Sequence, residues 1–159
     1  MFIRRANKKD LPEIIKIVKN SFHRYYAAAG EFYSAQQLVD PNYTSQTGPY
    51  YSREFFVKSL IKDLKTKIKK PFEFLISSEG KKITGFIILE NNHGHYWINN
   101  VMLKKEFQGR GTGKKLFNFA AKNKKPVYLW VNTKNPAINF WKKLGFKKIL
   151  NETLMRKNN

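Results

Sequence analysis

The chain has 159 residues, 42% of them hydrophobic, and carries a formal charge of +20 from 31 Lys and Arg against 11 Asp and Glu. It contains no Cys, which excludes a disulfide framework, a thiolate metal site and a cysteine nucleophile. No stretch approaches the roughly 18 to 20 apolar residues of a membrane span, and the opening "MFIRRANKKDLPEIIKIVKNSF" carries charge throughout its apolar spacing, unlike a signal peptide. These bounds predict one cytoplasmic domain over residues 1–159 with no membrane association; no metal is expected, and a monomer or homodimer is expected.

In chain order, "FIRRA" (2–6) predicts a short strand, and "KKDLPEIIKIVKNSF" (8–22) a helix with Leu11, Ile14, Ile15 and Val18 inward. From Tyr25 to Tyr51 the periodicity breaks into aromatics and turn formers, an irregular or partly helical segment. "SREFFVKSLIKDLKTKIKK" (52–70) returns to helix, with Phe55, Phe56, Leu60, Ile61, Leu64 and Ile68 as its apolar stripe and Pro71 as its stop. "FEFLISSEGKKITGFIILE" (72–90) reads as a hairpin around "SEGKK", and "HYWINNVML" (95–103) as a third strand beside it. "GKKLFNFAAKN" (113–123) is a short helix with Leu116, Phe117 and Ala120 inward, followed by a strand in "PVYLWVN" (126–132). In "NPAINFWKKLGF", Asn135 can cap and Pro136 suits a first helical turn. Ala137, Phe140, Trp141 and Leu144 form the buried stripe, and Gly145 supplies a left-handed end. "FKKILNETLMRK" (146–157) closes the chain as a strand or bent pair of strands. The order predicts a meander followed by a strand–helix–strand crossover, hence a mixed sheet.

The charge is unevenly placed. Residues 101–159 hold fifteen Lys or Arg against two acids, so +13 of the +20 follows the third strand. Such an excess fits a polyanionic partner, and the nucleic-acid alternative is a protein acting on aminoacyl-tRNA or a basic RNA- or DNA-binding module. It also fits plain composition, because 25 of the 31 cations are Lys and exposed Lys commonly only solvates a surface.

Between strand and helix lies "EFQGRGTGKKLF" (106–117), where three anion-binding patterns compete. A triphosphate loop needs Gly where Gln108 stands and a hydroxyl where Lys115 stands, and a dinucleotide turn needs Gly at Lys114. Gln-x-x-Gly-x-Gly, as Gln108, Gly111 and Gly113, matches completely. Two readings fit it: a helix N-terminus whose unpaired N–H groups and positive dipole end meet a phosphate brought close by the missing side chains, or a strand-to-helix turn that needs glycine for its dihedrals alone.

"VMLKKEFQGRGTGKKLF" together with "LWVNTKNPAINFWKKLGF" resembles two motifs of the GNAT superfamily of acetyl-CoA-dependent N-acetyltransferases, in the right order and separation. The resemblance implies a single-domain GNAT-like α/β fold: a mixed, mostly antiparallel central sheet with helices on both faces and a splayed strand pair for the CoA arm. It places a cofactor-binding core over residues 95–145 and a variable acceptor-side segment over 23–51. It also implies that the backbone of Val101, Met102 and Leu103 pairs with the pantetheine arm. Gln108, Gly109, Arg110, Gly111, Thr112, Gly113 and Lys114 would surround the pyrophosphate, and Asn135 would touch the cofactor or cap the last helix.

The activity implied is acetyl transfer from acetyl-CoA to an amine by direct attack, which needs no Cys. Two departures leave the proton transfers open. Where many members have a Tyr acid this chain has Trp141, whose indole N–H is no acid near neutral pH; it can orient the sulfur or pack in the core, with water, Tyr96 or Tyr128 donating instead. The strand feeding the turn has no carboxylate; His95 has a suitable intrinsic pKa, Asn99 and Asn100 can hold a water, and Glu31 or Glu90 can reach in from elsewhere. The segment 23–51 holds six Tyr and only two acids, Glu31 and Asp40, which suits an apolar or peptide amine better than a polyamine.

Overall fold

The computed structural model describes residues 1–29, 44–45, 48–49, 53–69, 72–131, 135–149 and 154–157. Strand β1 (Phe2–Arg5) leads through a 3-10 turn (Lys8–Asp10) into α1 (Leu11–Ala29). Two short strands follow, β2 (Thr44–Ser45) and β3 (Gly48–Pro49), then α2 (Arg53–Lys67). Next come β4 (Glu73–Glu79), β5 (Lys82–Asn92), β6 (His95–Leu103), a second 3-10 turn (Lys105–Phe107) and α3 (Thr112–Ala120). The chain ends with β7 (Val127–Trp130), α4 (Ala137–Lys143), β8 (Lys147–Lys148) and β9 (Leu154–Lys157). Seven strands form one sheet in the order β1-β4-β5-β6-β7-β9-β8, with β2 and β3 paired separately. Every neighbour in the large sheet is antiparallel except β6 and β7, which are parallel.

Helices cover both faces of this sheet. On one, Ile14, Ile17 and Val18 of α1 and Leu64 of α2 bury against Phe74, Ile76, Phe86 and Ile88. On the other, Leu116, Phe117 and Ala120 of α3 and Trp141 of α4 pack on Leu75, Ile87, Leu89 and Leu129. Strands buried on both sides explain why β4 and β5 read as near-continuous apolar runs rather than as alternation. Helix α1 extends to Ala29, past the expected end at Phe22, and its core position is Ile17 where Ile15 was expected. Pro71, Asn132, most of the segment 23–51 and the side chains of Phe55 and Phe56 lie outside the described residues.

Two local devices fix the frame. Asn7 and Asp10 form a reciprocal capping box, and Asp10 also accepts two hydrogen bonds from the Arg4 guanidinium at 2.7 and 2.8 Å. Those bonds, above all Arg4, hold the Asp10 carboxyl below the usual carboxylate range. At the far end, Gly145 at φ +86° ends α4 with its N–H on Lys142 O and the Phe146 N–H on Trp141 O, the paired bonds that such a left-handed end allows.

Candidate active site

The site begins with a change of register in β6. Ile88 of β5 lies opposite Asn100 and Leu89 opposite Ile98, so Asn99 is an extra, unpaired residue. Without it Ile98 and Met102, four residues apart, would share a face. With it Ile98 faces the α3/α4 layer and Met102 the α1/α2 layer. The strand also parts from its other neighbour at this level. Parallel pairing of β6 with β7 is confined to Tyr96 with Val127 and Trp97 with Tyr128. From Ile98 onward the edge of β6 faces a cavity of about 770 Å³.

The cavity runs along Ile98–Leu103 on one side and Leu129, Trp130 and Val131 on the other, and reaches Gln108, Gly109, Gly111, Gly113 and Lys114 at its end. Its size is that of a small-molecule site. At the turn, the Gln108 amide folds back to donate to Leu103 O at 3.0 Å, tying the turn to the end of β6. Gly109 and Gly111 sit at φ +75° and +77°, and a Cβ on either would meet nothing within 4 Å: the backbone conformation is what demands glycine. Gly113 is different. A Cβ there would lie 3.2 Å from Phe140 and 3.3 Å from Leu103, so its glycine lets α3 close onto α4 and β6.

Helix α3 starts at Thr112 with no capping side chain at Gly111, leaving its first-turn N–H groups without an intrahelical acceptor at the cavity end. Arg110 and Lys114 carry charge here. The nearby Glu106 is held below the usual carboxylate range by a backbone hydrogen bond and then by Lys82, its ion-pair partner at 3.0 Å. The unpaired N–H groups, their dipole end and the surplus cations all favour an anion.

Of the sequence-predicted cofactor residues, Val101, Met102, Leu103, Gln108, Gly109, Gly111, Gly113, Lys114 and Asn135 line the cavity. Met102 sends its side chain into the opposite layer, so its backbone is what borders the opening. Arg110 lies outside the lining with its guanidinium 5.9 Å from the Phe107 ring centre, and Thr112 is buried in the helix start. Asn135 caps α4, its Oδ1 accepting from Ala137 N–H at 2.9 Å.

The catalytic candidates divide. Asn100 and Trp141 reach the cavity. Trp141 is 4% exposed and makes edge contacts with Phe117, Phe140 and Phe146, so it is first of all a core residue. His95, Tyr96 and Tyr128 sit at the closed end, where β6 and β7 still pair, and none lines the cavity. Tyr96 packs into the α3/α4 core, while His95 meets Tyr128 edge-on. Glu31 lies outside the described residues. Sequence reasoning did not place Ser21, Ile98, Trp130, Phe140 or Lys143 at the cavity. Trp130, Phe140 and Lys143 carried a signal, as members of the terminal motif.

Comparison with known proteins bears on this geometry. Residues 70–148, which contain the bulged strand, the turn and α4, match the model of the acetyltransferase (GNAT) domain. The chain belongs to the GNAT superfamily. Among solved structures, this GNAT chain is similar to the PaiA N-acetyltransferase from Thermoplasma acidophilum in complex with coenzyme A, at 22% identity and a TM-score of 0.75. The similarity covers 99% of this chain and 98% of that one. An acetyltransferase of the GNAT family from Staphylococcus aureus is 15% identical with a TM-score of 0.70 over 99% and 98%. A GNAT family acetyltransferase from Brucella melitensis in complex with acetyl-CoA is 16% identical with a TM-score of 0.63 over 99% and 86%. The comparison with curated proteins returns no significant match. The mixed sheet with helices on both faces is therefore the GNAT fold, and acetyl transfer is the family's activity. No helix among the described residues is long and apolar enough to cross a membrane.

Proposed function

We propose that this GNAT protein acts as one N-acetyltransferase domain, moving the acetyl group of acetyl-CoA onto a primary amine by direct attack in a ternary complex. The observation that carries the reading is the continuity of one cavity from the parted edges of β6 and β7 to the start of α3. An elongated molecule with an anionic end fits such a shape.

The residues present suit acetyl-CoA. The backbone of Val101–Leu103 offers an open strand edge to the amide-bearing pantetheine arm. The N–H groups of Gly109 to Lys114 and the Lys114 ammonium would hold the pyrophosphate. Asn135, its Oδ1 committed to α4, has its amide N–H groups to offer the arm. The bound thioester supplies the acyl group, and the chain's part is to orient it, exclude water and receive the amine from the α1/α2 side. That mechanism asks for no nucleophilic side chain, in keeping with a chain that has no Cys.

A calorimetric titration with coenzyme A tests the reading. Wild-type protein is expected to bind, and Gly111→Glu to lose about 100-fold in affinity, roughly 2.7 kcal/mol, because it forces a side chain and a negative charge into the phosphate position. Undiminished affinity in Gly111→Glu would remove the pyrophosphate from this turn.

A further inference from the structure

A second group of residues gathers at the closed end of the cavity, on the sheet face away from α3 and α4, and two of them, Asn99 and Trp130, line it. Leu89, Ile98, Val127 and Leu129 point into the α3/α4 core, so their neighbours Glu90, Trp97 and Tyr128 point to the α1/α2 side. The register puts these three in one row: Glu90 lies opposite Trp97, and Trp97 opposite Tyr128. One step further along, the row is interrupted by the cavity, with Asn99 on its β6 side and Trp130 on its β7 side. Trp97 stacks on Tyr128 at 5.0 Å and on Trp130 at 6.3 Å, and Trp130 is 57% exposed.

Glu90 stands out for its charge environment. Among the described residues, Asp10, Glu13, Asp63, Glu73 and Glu106 each form an ion pair with Lys or Arg. Glu79, exposed at the hairpin, and half-buried Glu90, next to cavity-lining Asn99, form no ion pair among the described side chains. Glu90 Oε2 accepts instead from Asn99 Nδ2 at 2.9 Å. A carboxylate at neutral pH only accepts, so the Asn99 amide must present its NH₂ group to Glu90, leaving Oδ1 as the atom free to accept from a ligand. The adjacent negative charge polarises the amide and makes that oxygen a better acceptor.

We propose that Glu90, acting through Asn99, together with Trp97 and Trp130 forms an acceptor subsite for one primary ammonium group carried on a flat or apolar body. The assignment rests on the acetyl-transfer reading above. Asn99 Oδ1 takes an N–H of the amine, Glu90 supplies the opposing charge one hydrogen bond away, and the exposed Trp130 indole, backed by stacked Trp97, holds the body and favours the cation. Glu90 is thus a positioning residue, not a catalytic one. A second positive charge on the acceptor is disfavoured, because Lys114 and Lys143 line the same cavity.

The test uses full-length protein saturated with coenzyme A and follows tryptophan fluorescence, since two of the three tryptophans belong to the subsite. The probes are 2-phenylethylamine, an ammonium at neutral pH, aniline, which is uncharged, and spermidine. The wild type is expected to show saturable quenching by 2-phenylethylamine and no tighter binding of spermidine. Glu90→Gln should weaken 2-phenylethylamine about tenfold, the loss of one charge-assisted contact, while aniline binding, coenzyme A affinity and the thermal midpoint stay unchanged. Asn99→Leu should reproduce the tenfold loss. Equal binding of 2-phenylethylamine by Glu90→Gln and the wild type, absence of saturable quenching, or tighter binding of spermidine overturns the subsite. Failure of the wild type to bind coenzyme A overturns the acetyl-transfer reading instead.

Discussion

The two ends of the cavity are built from different materials. The end proposed for the cofactor is mostly backbone: a parted strand edge, two glycines at positive φ and the first turn of α3. The end proposed for the acceptor is made of side chains, Asn99 of β6 and Trp130 of β7, with Ser21 of α1 also on the cavity wall and Glu90 of β5 hydrogen-bonded behind Asn99. A backbone site needs its residues in unbroken order, because neighbouring N–H groups must converge on one anion, and it writes itself as a contiguous motif. A side-chain site needs only that its members meet in space. Glycine spacing therefore announced the first, while nothing in the spacing of Glu90, Asn99 and Trp130 announced the second.

The largest expected effect tests whether the terminal motif serves the core before it serves the site. Trp141→Ala should cost about 3–5 kcal/mol in a denaturant titration, as a buried aromatic removed from a packed cluster does. A loss below 1 kcal/mol, with turnover abolished, would move Trp141 from the core to the chemistry. That motif was readable in the sequence down to its caps: Asn135 and Gly145 stand where the apolar period starts and stops, and both act as expected.

A smaller effect separates the two ends by pH. Helix α1, which borders the acceptor end, is tied to the sheet through Arg4–Asp10 and Lys104–Glu13, and both carboxyls are held below their ordinary range by hydrogen bonds from those cations. A depressed folded pKa contributes stability that is complete above the unfolded value, near pH 4, and is lost as pH falls through the folded value. Hydrogen exchange as the pH drops below about 4 should therefore open the α1 amides before those of α3. Asp10→Asn should shift that opening to neutral pH at a cost of about 1–2 kcal/mol. Simultaneous opening of α1 and α3 would mean that the two layers fail as one unit.

The smallest effect concerns the charge at the turn. Lys114→Ala should weaken coenzyme A binding about threefold to tenfold at low salt, with the difference shrinking as salt is added. If the loss matched that of Gly111→Glu, side-chain charge rather than backbone would dominate the cofactor end, and the contrast between the two ends would collapse.

Local chemistry sufficed where each decision was local. Residue periodicity placed the helices and strands from β4 to α4, the positions of glycine marked the anion turn, and the absence of Cys excluded covalent thiol chemistry. Three matters were settled only by tertiary structure. Asn99 is an extra residue solely with respect to β5, so the bulge that divides Ile98 from Met102 is a property of the pair of strands. His95, Tyr96 and Tyr128 were plausible acids or bases by residue type, yet they fall where β6 and β7 remain paired, outside the cavity. Glu90 and Asn99, nine positions apart, meet because a hairpin brings their strands side by side. Each of these depends on which strand lies beside which, and at what point they separate, and a linear pattern of residue types carries no term for that distance.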